Sequence, residues 1–153
     1  MVRTDKRLRI CTALLICNIA FIWGNSLLPG EISGAISNGL KAFLEMLIGV
    51  QEGPPGGGGL LRKLAHLSEF ACLGVLLRWL FGMLTERKWQ NYCIPLACGV
   101  FVAAVDETIQ MFVPDRGPHI KDVGIDTLGL LLGIFIISLI THIKSKKLKE
   151  NVL

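Results

Sequence analysis

The sequence predicts an all-α, polytopic membrane protein with four transmembrane helices and an extracytoplasmic interfacial helix. Three observations predict it. Of the 153 residues, 52% are hydrophobic and 18% charged, and mean hydropathy is +0.56, whereas a soluble domain carries about 25% charged residues. Residues 10–30, 89–105 and 127–143 are uncharged runs of 21, 17 and 17 residues, close to the roughly 20 that cross a bilayer core of about 30 Å. Lysine and arginine, finally, are shared unevenly between the two sides of those runs. The same arithmetic excludes disorder and a collagen-like repeat. A net charge of +4 with 7% aromatic residues also excludes a nucleic-acid-binding arm, so no nucleic-acid partner is expected.

The first span, about residues 10–28, follows a basic arm, residues 1–9. Asn25-Ser26 offers no small-residue cleavage site, and Ile16 before Cys17 does not suit a lipoprotein signal, so the helix is expected to stay uncleaved. In the following loop, residues 29–61, Ile32, Ala35, Ile36, Leu40, Phe43, Leu44, Leu47 and Ile48 recur at helical spacing among Ser33, Ser37, Lys41 and Glu45. That pattern suits a helix in the outer interface, or equally one packed on top of the bundle. The run from Gly53 through Pro54 and Pro55 to Gly59 is expected to hold neither helix nor strand.

The second span, about 62–84, is the least apolar, being interrupted by Arg62, Lys63, His66, Glu69 and Arg78. Arg78, near the inner end, is expected to snorkel to the headgroups. Spans three and four cover about 91–112 and 122–143, and residues 144–153 form a basic tail. Ten of the sixteen Lys and Arg lie in the arm, the 85–91 turn and the tail, and five lie on the other side. Basic residues concentrate on the cytoplasmic side of short loops, so both termini are expected in the cytoplasm and the protein in the cytoplasmic membrane. Anionic lipid headgroups suffice as partners for these charges. The five cysteines (11, 17, 72, 93 and 98) form no C-x-x-C. They read as small packing residues, without disulfides.

Ionisable groups inside spans are costly and mark functional candidates. Here they share one depth. Lys63, His66 and Glu69 lie within about a 120° arc of the second span. Asp106, Glu107 and Gln110 occupy the outer turns of the third, and Asp122 and Asp126 form an i, i+4 pair opening the fourth. Arg116 sits in the short turn between them, flanked by Pro114 and Pro118, while Asn25 and Ser26 end the first span at the same level. These nine residues (Lys63, His66, Glu69, Asp106, Glu107, Gln110, Arg116, Asp122 and Asp126) are the candidate ligand-binding set.

Plainer readings stand beside that one. Lys63 can simply snorkel, His66 can be a satisfied packing residue, Asp122 can cap the fourth helix, and the whole cluster can be structural. Four carboxylates at this depth nevertheless require cations, shared protons or water. Asp106-Glu107 with His66 and Glu69 supply oxygen and imidazole donors for a divalent cation. Lys63, His66 and Arg116 supply instead the charges that hold a phosphate or carboxylate, Arg116 as a planar fork. His66 or Glu107 is the candidate acid–base group should the site be catalytic. No P-loop, nucleotide fingerprint, H-E-x-x-H or G-x-S-x-G is present.

Two blocks resemble the VanZ-like family of small bacterial membrane proteins. Lys63-Leu-Ala-His66-Leu-Ser-Glu69-Phe70-Ala-Cys-Leu73-Gly74 is similar to its K-x-x-H-x-x-x-[YF]-x-x-L-G pattern. Asp106-Glu107 with Gln110, Pro114 and Arg116, followed by Asp122, Asp126, Gly129 and Gly133, resembles D-E-x-x-Q-x-[FY]-x-P-x-R and D-x-x-x-N-x-x-G-x-x-x-G. Asp126 stands where the family usually has Asn. The resemblance covers about residues 15–140. It implies a role in the cell envelope, the founding member being associated with low-level resistance to teicoplanin without a defined reaction. The leading expectation is therefore a membrane protein that binds a lipid-linked or cell-wall-related ligand with an anionic headgroup in an outer-face pocket, with altered glycopeptide susceptibility as one outcome. An enzyme acting on such a headgroup is the alternative. A proton-linked carrier is weaker still, because only one polar layer appears.

Overall fold

The computed structural model describes residues 2–48, 58–114 and 120–150. All of its regular structure is helical: α1 (Val2–Ser26), α2 (Gly30–Ile48), α3 (Gly58–Leu84), α4 (Gln90–Met111) and α5 (Ile120–Glu150). Four helical segments are long and apolar enough to cross a membrane: Asp5–Ser26, Arg62–Leu84, Gln90–Met111 and Asp122–Lys147. These are the four expected spans. Residues 32–48 are helical as their periodicity predicts, within α2.

Three boundaries differ from the sequence reading. α1 starts at Val2, so the basic arm is helical from its second residue. α5 runs through Lys144, Lys146 and Lys147 to Glu150 rather than ending near 143. Lys, Leu and Glu are strong helix formers and no Gly or Pro interrupts them, so leaving the apolar region does not end the helix. Lys146 and Glu150 also pair at i, i+4, 4.0 Å apart. The glycine-rich run, thirdly, contributes Gly58 and Gly59 to the first turn of α3. A first turn has few intrahelical bonds to weaken, so glycine is tolerated there. Residues 53–57 of that run lie outside the described residues.

Side-chain contacts fix the directions of the helices. Cys11 donates toward the Leu76 carbonyl (3.6 Å) and Asn25 bonds Glu69, so α1 and α3 run antiparallel. Trp23 donates from Nε1 to the Val102 carbonyl (3.5 Å) and Ser26 bonds Asp106, so α1 and α4 run parallel. The apolar core lies between these helices, around Ile22, Phe70, Leu73, Val102, Leu130 and Ile134. The closest approach is between α3 and α5. A Cβ on Gly129 would strike the Leu67 carbonyl, one on Gly133 the Ala71 carbonyl, and one on Gly74 the Leu130 carbonyl. Glycine at these positions lets the two backbones touch, the way helices associate where lipid gives no hydrophobic drive. The pairs 67–129 and 71–133 advance together, so α3 and α5 are parallel.

α2 packs against α3, and its Gly30 N–H donates to the Pro114 carbonyl (3.2 Å) just beyond α4. The helix therefore lies at the end of the bundle where α1 and α4 finish. Ser33 is buried there, while Ile32, Ile36, Phe43 and Met46 are exposed. At the other end, Arg78 does more than reach for headgroups: its guanidinium lies over the Tyr92 ring, 4.8 Å from the centroid, tying α3 to α4. All five cysteines are free thiols; Cys11 is buried in the core and Cys17, Cys72 and Cys93 are exposed.

Candidate functional site

α1 and α4 end, and α3 and α5 begin, at the same level of the bundle, and there the core changes from apolar to polar. Ser26, His66, Asp106, Glu107, Gln110 and Asp126 are all buried. Asp106, fully enclosed at 0% exposure, is the hub. Its Oδ1 accepts from the Ser26 hydroxyl at 2.5 Å and its Oδ2 from the Gln110 amide nitrogen at 2.8 Å. The same Gln110 nitrogen also donates to the Ser26 oxygen at 3.2 Å. Arg62 then donates from its guanidinium to Gln110 Oε1 at 3.1 Å. That contact fixes the amide orientation: the oxygen faces the arginine and the nitrogen faces the carboxylate.

Helical geometry explains this convergence. On α4, Asp106 and Gln110 are four residues apart and continue the stripe of Gly99, Val102 and Ala103, which is buried. On α3, Arg62, His66 and Glu69 are spaced i, i+4, i+7 and fall within about a 60° arc. Glu69 Oε1 accepts from Asn25 Nδ2 at 3.0 Å, closing the site against α1. From α5, Asp126 at 1% exposure brings Oδ1 to 3.6 Å from His66 Nδ1. Neither Asp126 oxygen accepts a hydrogen bond among the described residues.

The structure treats the nine expected residues unequally. His66, Glu69, Asp106, Gln110 and Asp126 meet as described, and Glu107 is buried beside Asp106 on α4. Asp122 is half-buried in the first turn of α5, inside the helix rather than at the capping position before it. Lys63 is exposed and forms no ion pair among the described residues. It stands about 60° from His66 on the side away from Glu69, the far edge of the arc. Arg116 lies outside the described residues. Arg62, which the sequence reading names among the charges interrupting the second span but leaves out of the candidate set, takes the place in the network that Lys63 is expected to fill. Its spacing of four residues from His66 is the signal that could have found it.

Chemically, the site is rich in acceptors. Among the described residues, Glu69, Asp106, Glu107 and Asp126 share the site with two side chains able to carry a positive charge, Arg62 and His66. Such a floor takes hydroxyl or ammonium donors, or a cation, and its rim at Arg62 takes an anion. His66 Nδ1 and a carboxylate oxygen of each of Asp106 and Asp126 lie within 4.8 Å of one another. A family model described as VanZ/LLP1 matches residues 11–141, which contain every element of this site. Neither the curated proteins nor the solved structures gave a match to the chain.

Proposed function

The chain belongs to the VanZ/LLP1 family, and from that premise we propose that it binds the headgroup of a lipid-linked or other cell-envelope ligand at the outer ends of its spans. The observation that carries this reading is the network Arg62–Gln110–Asp106–Ser26. Buried polar groups of this number are costly inside an apolar bundle, and their usual reason for being there is a ligand. A lipid-linked headgroup presents a phosphate to the Arg62 rim and hydroxyl donors to the carboxylates, while its chain stays among the acyl chains of the bilayer. Altered susceptibility to a lipid-bearing glycopeptide such as teicoplanin is one outcome of occupying such a lipid, in line with the family resemblance.

The site faces outward in this reading, with both termini in the cytoplasm. The charge asymmetry supports it, since Arg87, Lys88 and Lys144 through Lys147 are exposed at the opposite end from the site. In a cysteine-free background, Glu31→Cys is expected to react with an impermeant maleimide in intact cells and Lys147→Cys only after permeabilisation. The reverse pattern places the site inside.

A second reading is favoured by one contact. His66 Nδ1 lies 3.6 Å from Asp126 Oδ1, a spacing that a small side-chain rotation turns into the carboxylate–imidazole hydrogen bond of a general base, with Glu107 as the other candidate acid–base group. One experiment separates the two. The purified chain in nanodiscs is incubated with a polyprenyl phosphate carrying a labelled sugar. Binding predicts retention of the unchanged lipid, at least tenfold over the neutral polyprenol, and its loss in Arg62→Ala. Turnover that disappears in His66→Ala makes the protein an enzyme. Equal retention of phosphate lipid and alcohol, with no turnover, contradicts both.

A further inference from the structure

We infer that His66, Asp106 and Asp126 form a binding site for one divalent first-row metal cation. The placement on three helices comes first: α3 supplies an imidazole and α4 and α5 one carboxylate each, with donor atoms within 4.8 Å of one another. Three protein ligands of this kind, leaving further positions open, are the pattern of a metal site that also engages a ligand. The mixture of imidazole and carboxylate favours zinc- or manganese-like ions over magnesium or calcium, which prefer oxygen alone.

Independent support comes from Asp126 itself. Its side chain is 1% exposed, yet neither oxygen accepts a hydrogen bond among the described residues, and His66 at 3.6 Å is beyond hydrogen-bonding distance. A buried carboxylate left this way is costly, and a bound cation answers that cost directly. Asp106 is prepared differently. Ser26 and Gln110 each bond one of its oxygens and Arg62 holds Gln110 in turn. Outer hydrogen bonds of this type orient a metal-binding carboxylate. A tetrahedral zinc set holds its donors about 3.4 Å apart. Closing from the present spacing takes side-chain rotations on the order of 1 Å, which no hydrogen bond on Asp126 opposes. The donor set differs from the one the sequence suggests: Asp126 replaces Glu69 and Glu107.

A cation here would also deepen the proposed function, because it neutralises the acidic floor and gives a phosphate a second positive partner. The site does not depend on that reading, and its test uses no lipid. The full chain is purified in detergent, stripped with chelator and titrated with Mn²⁺, read by electron paramagnetic resonance so that the free thiols do not compete. One saturable Mn²⁺ per chain is expected, displaced by Zn²⁺. Asp126→Asn, which keeps the side-chain shape, and His66→Gln are each expected to weaken binding at least tenfold. Glu31→Gln on α2 is expected to leave it unchanged. Melting curves of the metal-free variants confirm that they fold. Saturable binding that survives Asp126→Asn, or no saturable binding by the folded wild type, overturns the inference. Metal binding without lipid retention leaves the cation site standing and removes the proposed ligand.

Discussion

Asp106→Leu is expected to destabilise the protein by several kcal/mol and to abolish ligand retention. The substitution removes the acceptor of two buried donors, the Ser26 hydroxyl and the Gln110 amide. Each donor left without a partner costs about 1–3 kcal/mol. The loss extends outward, since Gln110 without Asp106 no longer holds its amide toward Arg62 in one orientation. Asp106→Asn is the informative companion. It keeps one carbonyl acceptor but sets an NH₂ group against a neighbouring donor, so it should fall between wild type and Asp106→Leu. Thermal unfolding in detergent, followed by tryptophan fluorescence, ranks the three. A leucine variant as stable as wild type would mean that the network is not coupled as described.

Gly133→Val should have a comparable effect through the backbone. A Cβ at this position meets the Ala71 carbonyl and the Val75 nitrogen of α3. These are main-chain atoms of a helix and cannot rotate away, so α3 and α5 must part. Overpacking of this type costs about 1–3 kcal/mol, and the parting also pulls His66 on α3 from Asp126 on α5. Gly24 on α1 provides the control, because nothing lies within 4 Å of its would-be Cβ. Gly24→Ala should be neutral or stabilising by up to about 1 kcal/mol through helix propensity. Size-exclusion profiles and melting midpoints of the two variants should diverge: aggregation or a lower midpoint for Gly133→Val, wild-type behaviour for Gly24→Ala. Similar profiles would contradict the close α3–α5 contact.

The spans were legible because hydropathy and length are properties of a single helix. Ile10 to Gly30 announces itself whatever surrounds it. The depth of the polar groups was legible for the same reason, since register along one helix fixes height. What each polar side chain touches was not. Lys63 and Arg62 are adjacent in sequence and alike in charge; spacing from His66 favours the Arg62 face, but that Arg62 reaches Gln110 depends on how α3 meets α4. The roles of Gly74, Gly129 and Gly133 were hidden in the same way. Their spacing is visible, but that α3 is the neighbour they admit is a property of the assembled bundle. The extension of α5 to Glu150 was missed because apolar content, which marks a span, does not mark where a helix of good formers stops.

The central claim is that the buried groups at the ends of α1, α3, α4 and α5 are one ligand site. A structure of the chain in nanodiscs containing a polyprenyl phosphate tests it most directly. The account predicts headgroup density within hydrogen-bonding distance of Arg62, with the phosphate or its sugar reaching His66, Gln110 or a carboxylate of the floor. Headgroup density elsewhere on the protein, with the Arg62–Gln110–Asp106–Ser26 network closed and untouched, would contradict it and make the cluster a structural clasp.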